Sequence, residues 1–474
     1  MLRLRAEGRR RAARHGVDVR AVTGPGRPVV ESRSAVTDAR SAAAEICADL
    51  RGSDLLDSSF ERRTARLDPR DRRWTRELVY GMLRRRSWFD AVLAERVSGG
   101  LARLDVDVID LLRLGAYQLL SMGSVPPYAA IGQTVELVKR RHGIGASKLA
   151  NAVLRRLDRE RTALVVTLPA DETDALALEY SHPRWLVARW LARWGEADTR
   201  RLLVANNGEA PLVARPYHVV REQLEAMFES AGVETGDAPL VPDSLVLLSG
   251  VGSMTELGAF KQGLFHLQDP ASTLVTRYAS VPTGATVADL CAAPGGKALE
   301  LARTAGAVLA GDASKNRLAR VRENVARLDV PNIIPFVGDA LQPPLAEVDA
   351  VLVDVPCTGT GTFRRHPDAR WRLKASDFAV LPALQRAIIR AAARIVRPGG
   401  LLVYSTCSLE LEENDEQVAT FLAEHPDWKL DAPPSGVVPD SVLDEGLLRV
   451  LPQRHGTDGA FAARFRRPRT GAAA

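Results

Sequence analysis

"DLCAAPGGKALELA", residues 289–302, runs from an apolar stretch into a cluster of very small residues and then into a helical pattern. That order predicts a strand, a tight turn and a helix. Around it the strand candidates "ATVADLC", "AVLAGD", "IIPFVGD", "DAVLVDVP" and "GGLLVYSTC" alternate with the helical patterns "KALELARTAG", "KNRLARVRENVARL" and "LPALQRAIIRAAARIV". Apolar strands alternating with helices predict a parallel sheet covered on both faces. Ligands of such sheets bind beyond the carboxyl ends of the strands, where this turn lies.

The turn is not a phosphate loop. A P-loop needs glycine five residues before Gly296, where Cys291 stands, and Ser or Thr after Lys297, where Ala298 stands. The G-x-G-x-x-G fingerprint of dinucleotide sites is also missing. What remains is a run of Ala292, Ala293, Gly295 and Gly296, whose small side chains let a ligand lie against the backbone at a helix start. Asp312 and Asp339 end the next two strands and Asp354 the fourth. A carboxylate after the second strand suits a ribose diol, because it accepts two hydroxyl hydrogen bonds. A nucleoside without a phosphate chain fits this set, and S-adenosylmethionine is the candidate.

The chain has 474 residues, more than one core usually serves. Residues 1–34 form a basic tail expected to be disordered. Residues 35–165 carry helical patterns such as "RRWTRELVYGMLRRRSWFDAVLAERV" and "DVIDLLRLGAYQLLSM", which predict an all-helical domain. A polar linker, "LPADETDALALEYSHP", leads to a small α+β module over 175–265, where "PLVARPY" and "SLVLLSG" read as strands around the helical "REQLEAMFESAG". The α/β domain occupies 266–470. No apolar run is long enough for a membrane span and the first residues lack a secretory h-region, so a cytoplasmic protein is expected.

The formal net charge is +6, and it is unevenly spread. Residues 1–40 hold ten arginines against four acids, 51–90 eleven against seven, and 136–161 eight Lys or Arg against three. Three basic stretches in one third of the chain favour a nucleic-acid partner over a merely solvated surface. Neither a metal nor a membrane partner is expected, and a monomer is.

Cys47, Cys291, Cys357 and Cys407 form no CxxC pair and read as free thiols. Cys47 reads as a small buried hydrophobe. Cys357 in "DVPCTGTG" and Cys407 in "YSTCS" follow the fourth and fifth strands, and both therefore face the expected cofactor.

Taken together, "DLCAAPGGK", "GDASKNRL", "DVPCTGTGTFRRHPD", "YSTCSLELEEND" and "DGAFAARF" resemble the ribosomal RNA cytosine-C5 methyltransferases of the Fmu/Sun (RsmB) type, and "NAVLRRL" extends the likeness into the helical region. The resemblance covers nearly all of residues 35–470. It implies an N-terminal NusB-like RNA-binding domain, the small module, and a C-terminal Rossmann-like methyltransferase domain whose sheet ends in an antiparallel strand, here "GAFAARFRR". It implies S-adenosylmethionine contacts from Cys291, Ala292, Ala293, Pro294, Gly295, Gly296, Lys297, Asp312, Arg317, Asp339 and Asp354, and attack by the Thr-Cys cysteine, Cys407. Ala298 stands where the family often has Thr, and "RPYH" at 215–218 departs from the family's Arg-Val-Asn.

The chemistry of cytosine agrees. C5 is a poor nucleophile, so a thiolate, assigned to Cys407, must first add at C6. Asp354 is expected at the N3 and N4 edge of the base, and Cys357 to assist loss of the C5 proton and release of Cys407. The target base must leave its stack, and Arg364, Arg365 and Trp371 of "FRRHPDARWR" are candidate RNA contacts. Two other readings stay open: an RNA-binding, antitermination-like factor with an inactive methyltransferase fold, and the same chemistry on transfer RNA.

Overall fold

The computed structural model describes residues 36–469, so the expected basic tail at 1–34 lies outside the described residues. Helices fill the first part: Asp38–Arg51, Leu56–Thr64, Pro69–Arg84, Arg86–Ala94, Val106–Leu120 and Pro127–Glu160. Their starts follow local chemistry. Asp68 caps Pro69–Arg84 by accepting a hydrogen bond from Asp71 N at 2.8 Å, with Pro69 at the first helical position. The long helix 127–160 breaks at Gly143, which takes φ 81° and ψ −173°. Ile46, Leu78, Val79, Phe89, Leu112, Ala130 and Leu154 pack one apolar core, with Cys47 inside it as expected.

The stretch read as a polar linker is instead partly helical. Glu172–Glu179 and the long Arg184–Asn207 form helices, the latter interrupted at Gly195, and Trp190 is fully buried beneath them. The small module follows as an antiparallel sheet of β1 (Leu212–Pro216), β2 (Glu234–Asp237), β3 (Leu245–Ser249) and β4 (Phe265–Leu267), in the order β2-β3-β1-β4. The helix Arg221–Ser230 buries Leu224 and Phe228 in this module's core.

The third part is built on β5 (Thr286–Asp289), β6 (Ala307–Asp312), β7 (Ile333–Val337), β8 (Val348–Asp354) and β9 (Val396–Thr406), all mutually parallel in the order β9-β8-β5-β6-β7. Beyond β9 the sheet continues through antiparallel strands, with β10 (Lys429–Leu430), β11 (Leu443–Asp444) and β12 (Leu447–Val450) joined to it by β13 (Ala460–Arg466), which pairs directly with β9. Strand order reverses at β5, which has β6 on one side and β8 on the other. The crevice at that switch point is where an open α/β sheet accommodates a ligand.

Candidate active site

The turn 290–296 leaves β5 at this crevice. Gly295 takes φ 107°, a backbone state L-residues rarely adopt, and starts the helix Gly296–Leu301. A Cβ built on Gly295 would lie 3.4 Å from Val321 of the neighbouring helix, an ordinary contact, so it is the positive φ of the turn that calls for glycine here. Cys291, Ala292, Ala293, Pro294, Gly296 and Lys297 line a cavity of about 410 Å3, together with Asp354, Cys407 and, from the loop after β8, His366. Such a volume suits a small-molecule ligand.

Asp289, passed over in the sequence, also lines this cavity. It is 1% exposed and neither carboxylate oxygen has a hydrogen-bond partner. Burial, and then the negative charge of Asp354, push its carboxyl up to about 7. A buried carboxylate left without a partner is costly, and a cationic or hydrogen-bond-donating ligand relieves that cost. Asp312, at the end of β6, shows the same feature in part. Its Oδ1 accepts from Ser314 N at 2.8 Å and Arg317 at 3.0 Å, whereas the buried Oδ2 has no partner. Asp339, at the exposed end of β7, accepts from Leu341 N at 2.9 Å. Asp312, Arg317 and Asp339 sit beside the cavity on the β6–β7 edge and are not among its lining residues.

On the other side of the switch point, Lys297 Nζ lies 2.7 Å from Asp354 Oδ2, and Ser405 donates to Asp354 Oδ1 at 2.8 Å. Burial pulls the Lys297 ammonium down, but Asp354 outweighs it and holds the lysine above its ordinary value. The two sulfurs, Cys357 Sγ and Cys407 Sγ, are 3.2 Å apart. Contact with Cys407, then burial, raises the Cys357 thiol far above its usual range. Burial also raises the Cys291 thiol. Gly361 sits where the two cysteine loops cross. Its N–H donates to Cys407 O at 3.0 Å, and a Cβ there would lie 2.7 Å from that same oxygen.

The family model of the 16S rRNA methyltransferase RsmB/F matches residues 280–466, that of the NusB family 37–159, and that of the ferredoxin-like domain of RsmF/B-like methyltransferases 182–253. The probable ribosomal RNA small subunit methyltransferase B of Synechocystis sp. is 34% identical over 414 residues, 85% of this chain and 92% of that protein. The chain belongs to the RsmB/F family of methyltransferases. The similarly named Bacillus subtilis protein is 34% identical over 82% of this chain and 89% of its own length. Among solved structures, PH0851 is 26% identical with a TM-score of 0.76, covering 91% of this chain and all but 1% of that one. A methyltransferase homolog from Pyrococcus horikoshii is 28% identical, covering 63% of this chain and 100% of its own, with a TM-score of 0.54. This RsmB/F member is an S-adenosylmethionine-dependent RNA methyltransferase, and the unpartnered oxygens of Asp289 and Asp312 fit that cationic nucleoside.

In this enzyme the three expected RNA contacts are committed internally. Arg364 is buried and donates to Asp458 at 2.7 Å, Asp269 at 2.9 Å and Gly456 O at 2.9 Å. Arg365 spans the same two carboxylates at 2.8 and 2.9 Å while also edging the cavity. Trp371 donates its indole N–H to Leu83 O at 2.8 Å and packs on the helical core. Arg364, expected as an RNA contact, is instead spent on this buried network, and half-buried Trp371 ties the catalytic domain to the helices. Other basic residues carry no acidic partner among the described residues; of these, Arg73 donates to Gly252 O at 3.3 Å and Arg76 lies over the Tyr80 ring at 4.4 Å. Arg73 and Arg76, on Pro69–Arg84, are exposed, have no acidic partner within 4 Å among the described residues, and line a cleft against Gly252–Thr255 of the small module. No helix of the described residues is long and apolar enough to cross a membrane.

Proposed function

We propose that the enzyme methylates C5 of a cytosine in small-subunit ribosomal RNA through a covalent bond between Cys407 and C6 of the base. The observation that carries this reading is that Cys407 lines the cavity with the Lys297–Asp354 ion pair, while Cys357, expected to face the cofactor, instead lies behind Cys407 outside the cavity lining, its sulfur 3.2 Å away. Cys407 is the sulfur that reaches the cavity, and burial and its neighbour hold the Cys357 thiol protonated, so attack is assigned to Cys407.

Cys407 sulfur bonds to C6, and the C5–C6 electron pair moves to C5, with charge spreading toward N3. Asp354, already engaged by Lys297 and Ser405, accepts the N4 amine of the base and fixes its edge. S-adenosylmethionine supplies an electrophilic methyl group. Asp289, Asp312 and the small residues 291–297 hold it, with Arg317 and Asp339 supporting that edge. After C5 gains the methyl group its proton leaves. Once Cys407 is bonded to C6, Cys357 loses its own thiol proton to solvent and as thiolate takes the C5 proton; the C5–H electron pair re-forms the C5–C6 double bond, the C6–S bond breaks and Cys407 leaves as thiolate.

Ribosomal RNA carrying tritium at cytosine C5 tests this. C5 methylation releases one tritium per methyl group transferred, and bisulfite sequencing locates the site. Methyl transfer without tritium release contradicts C5 as the target.

A further inference from the structure

Three groups outside the proposed chemistry stand out: the buried Asp269–Asp458 pair with its two arginines, the half-exposed Asp57–His366 contact, and the buried Glu413 with Asn414. The first two tie segments together by single ion-pair networks. The third reaches both cysteine loops at once.

Glu413 lies in the short turn Leu411–Glu413 after β9 and is completely buried. Its Oε1 accepts from Thr358 N at 2.9 Å and from Gln385 Nε2 at 2.7 Å, and its Oε2 accepts from the Thr358 hydroxyl. Gln385 Nε2 also donates to Pro356 O at 2.9 Å. Both residues flanking Cys357 are thus held by Glu413, one directly and one through Gln385. Tyr404 closes the arrangement by donating to Glu413 O at 2.6 Å.

The next residue holds the other cysteine. Asn414 Oδ1 accepts from the Thr406 hydroxyl at 2.6 Å, and its Nδ2 donates to Ser408 O at 2.9 Å. Thr406 and Ser408 flank Cys407. Two consecutive residues therefore bracket two cysteines that are fifty positions apart in the chain. A fully buried carboxylate is expensive to keep, and here three donors from the Cys357 side satisfy it without a cationic partner. Sulfur placement to a few tenths of an ångström is the kind of precision such networks supply.

We infer that Glu413 and Asn414 are positioning residues for the two thiols, Glu413 setting Cys357 for release and Asn414 setting Cys407 for attack. The inference rests on the roles proposed above for the cysteines. Neither residue lines the cofactor cavity, so each acts through a cysteine and not by touching cofactor or base.

The test uses the full-length enzyme with substrate RNA and S-adenosylmethionine, and reads turnover, cofactor affinity, and the RNA–protein adduct that survives denaturing electrophoresis. Glu413→Ala is expected to lower turnover roughly tenfold or more and to accumulate the adduct, as Cys357→Ala does. Asn414→Ala is expected to lower turnover without accumulating adduct, as Cys407→Ala does. Glu413→Gln keeps the shape and the acceptor facing Thr358 N, and restores most of the turnover. Cofactor affinity stays within about twofold in all of them. Should Glu413→Ala not fold, Glu413→Asp keeps the charge but shortens the reach, and the same adduct is expected. Cys357→Ala without adduct overturns the proposed cysteine roles. Adduct in Cys357→Ala but not in the folded Glu413 variants overturns the positioning inference alone, as does cofactor affinity falling in step with turnover.

Discussion

Cys357 Sγ lies 3.2 Å from Cys407 Sγ although fifty residues separate them in sequence. Nothing local produces that contact. It depends on β8 and β9 pairing in parallel, Asp354 opposite Ser405, so that the two loops leave the sheet side by side. The enzyme's chemistry is in this sense a property of strand order.

Because Arg364 holds two buried carboxylates, Arg364→Ala leaves Asp269 and Asp458 with Arg365 alone. Removing one partner of a buried ion network costs about 3 kcal/mol. The urea midpoint should fall with an unchanged m-value. A variant as stable as the parent but weaker in RNA binding would return Arg364 to the RNA surface.

Gly295→Val forces a β-branched residue into φ 107° and presses it toward Val321. The turn that shapes the cofactor wall then shifts. Calorimetry should show S-adenosylmethionine affinity reduced at least tenfold, about 1.4 kcal/mol. Unchanged affinity would separate this turn from cofactor binding.

Asp289 gives the cofactor site a pH dependence. Its carboxyl is pushed up to about 7 in the folded protein, against about 3.9 in an unfolded chain. Between those values the folded state binds the extra proton, so stability without cofactor falls as pH rises from about 4 to 7. A cationic ligand favours the ionised carboxylate, so S-adenosylmethionine affinity rises over the upper part of that window, by at most about tenfold per pH unit, and levels off above it. Asp289→Asn should flatten both profiles. An identical pH profile of affinity in the variant would remove Asp289 from the site.

Arg73 and Arg76 offer the RNA two cations that no acid of the described residues neutralises. Point substitution tests them better than removing the helices, which would strip Trp371 of its packing. Each phosphate contact to a single strand contributes a slope of about −0.7 in log affinity against log salt. Replacing both with Ala should flatten the slope by about 1.4, whereas Arg390→Ala, already paired to Glu424, should leave it unchanged. Equal slopes in all three proteins would make these arginines ordinary solvated surface.

The parallel strands were legible because each is a short apolar run ending at a turn, and the small residues of 292–296 marked the turn itself. The helix Arg184–Asn207 was not, because Gly195 interrupts its period and its start follows a polar stretch. At the site, Cys357, Cys407, Lys297 and Asp354 could be picked from their motifs. Asp289 had a faint signal, an acid closing an apolar strand one step before the turn. Glu413 and Asn414 had no chemical signal, since "LELEEND" reads as an acidic surface stretch until folding turns Glu410, Glu413 and Asn414 inward with Leu409. For Arg364 the loop composition suggests RNA, while its partners, Asp269 and Asp458, lie far off in sequence.

The central claim is that Cys407, and not Cys357, bonds to the base. Incubating Cys357→Ala with S-adenosylmethionine and substrate RNA, then digesting the denatured complex for mass spectrometry, identifies the attached cysteine directly. A methylated nucleotide linked to the peptide containing Cys407 is expected, and no adduct when Cys357 and Cys407 are both replaced. A stable adduct formed by Cys407→Ala, linked through Cys357, would contradict it.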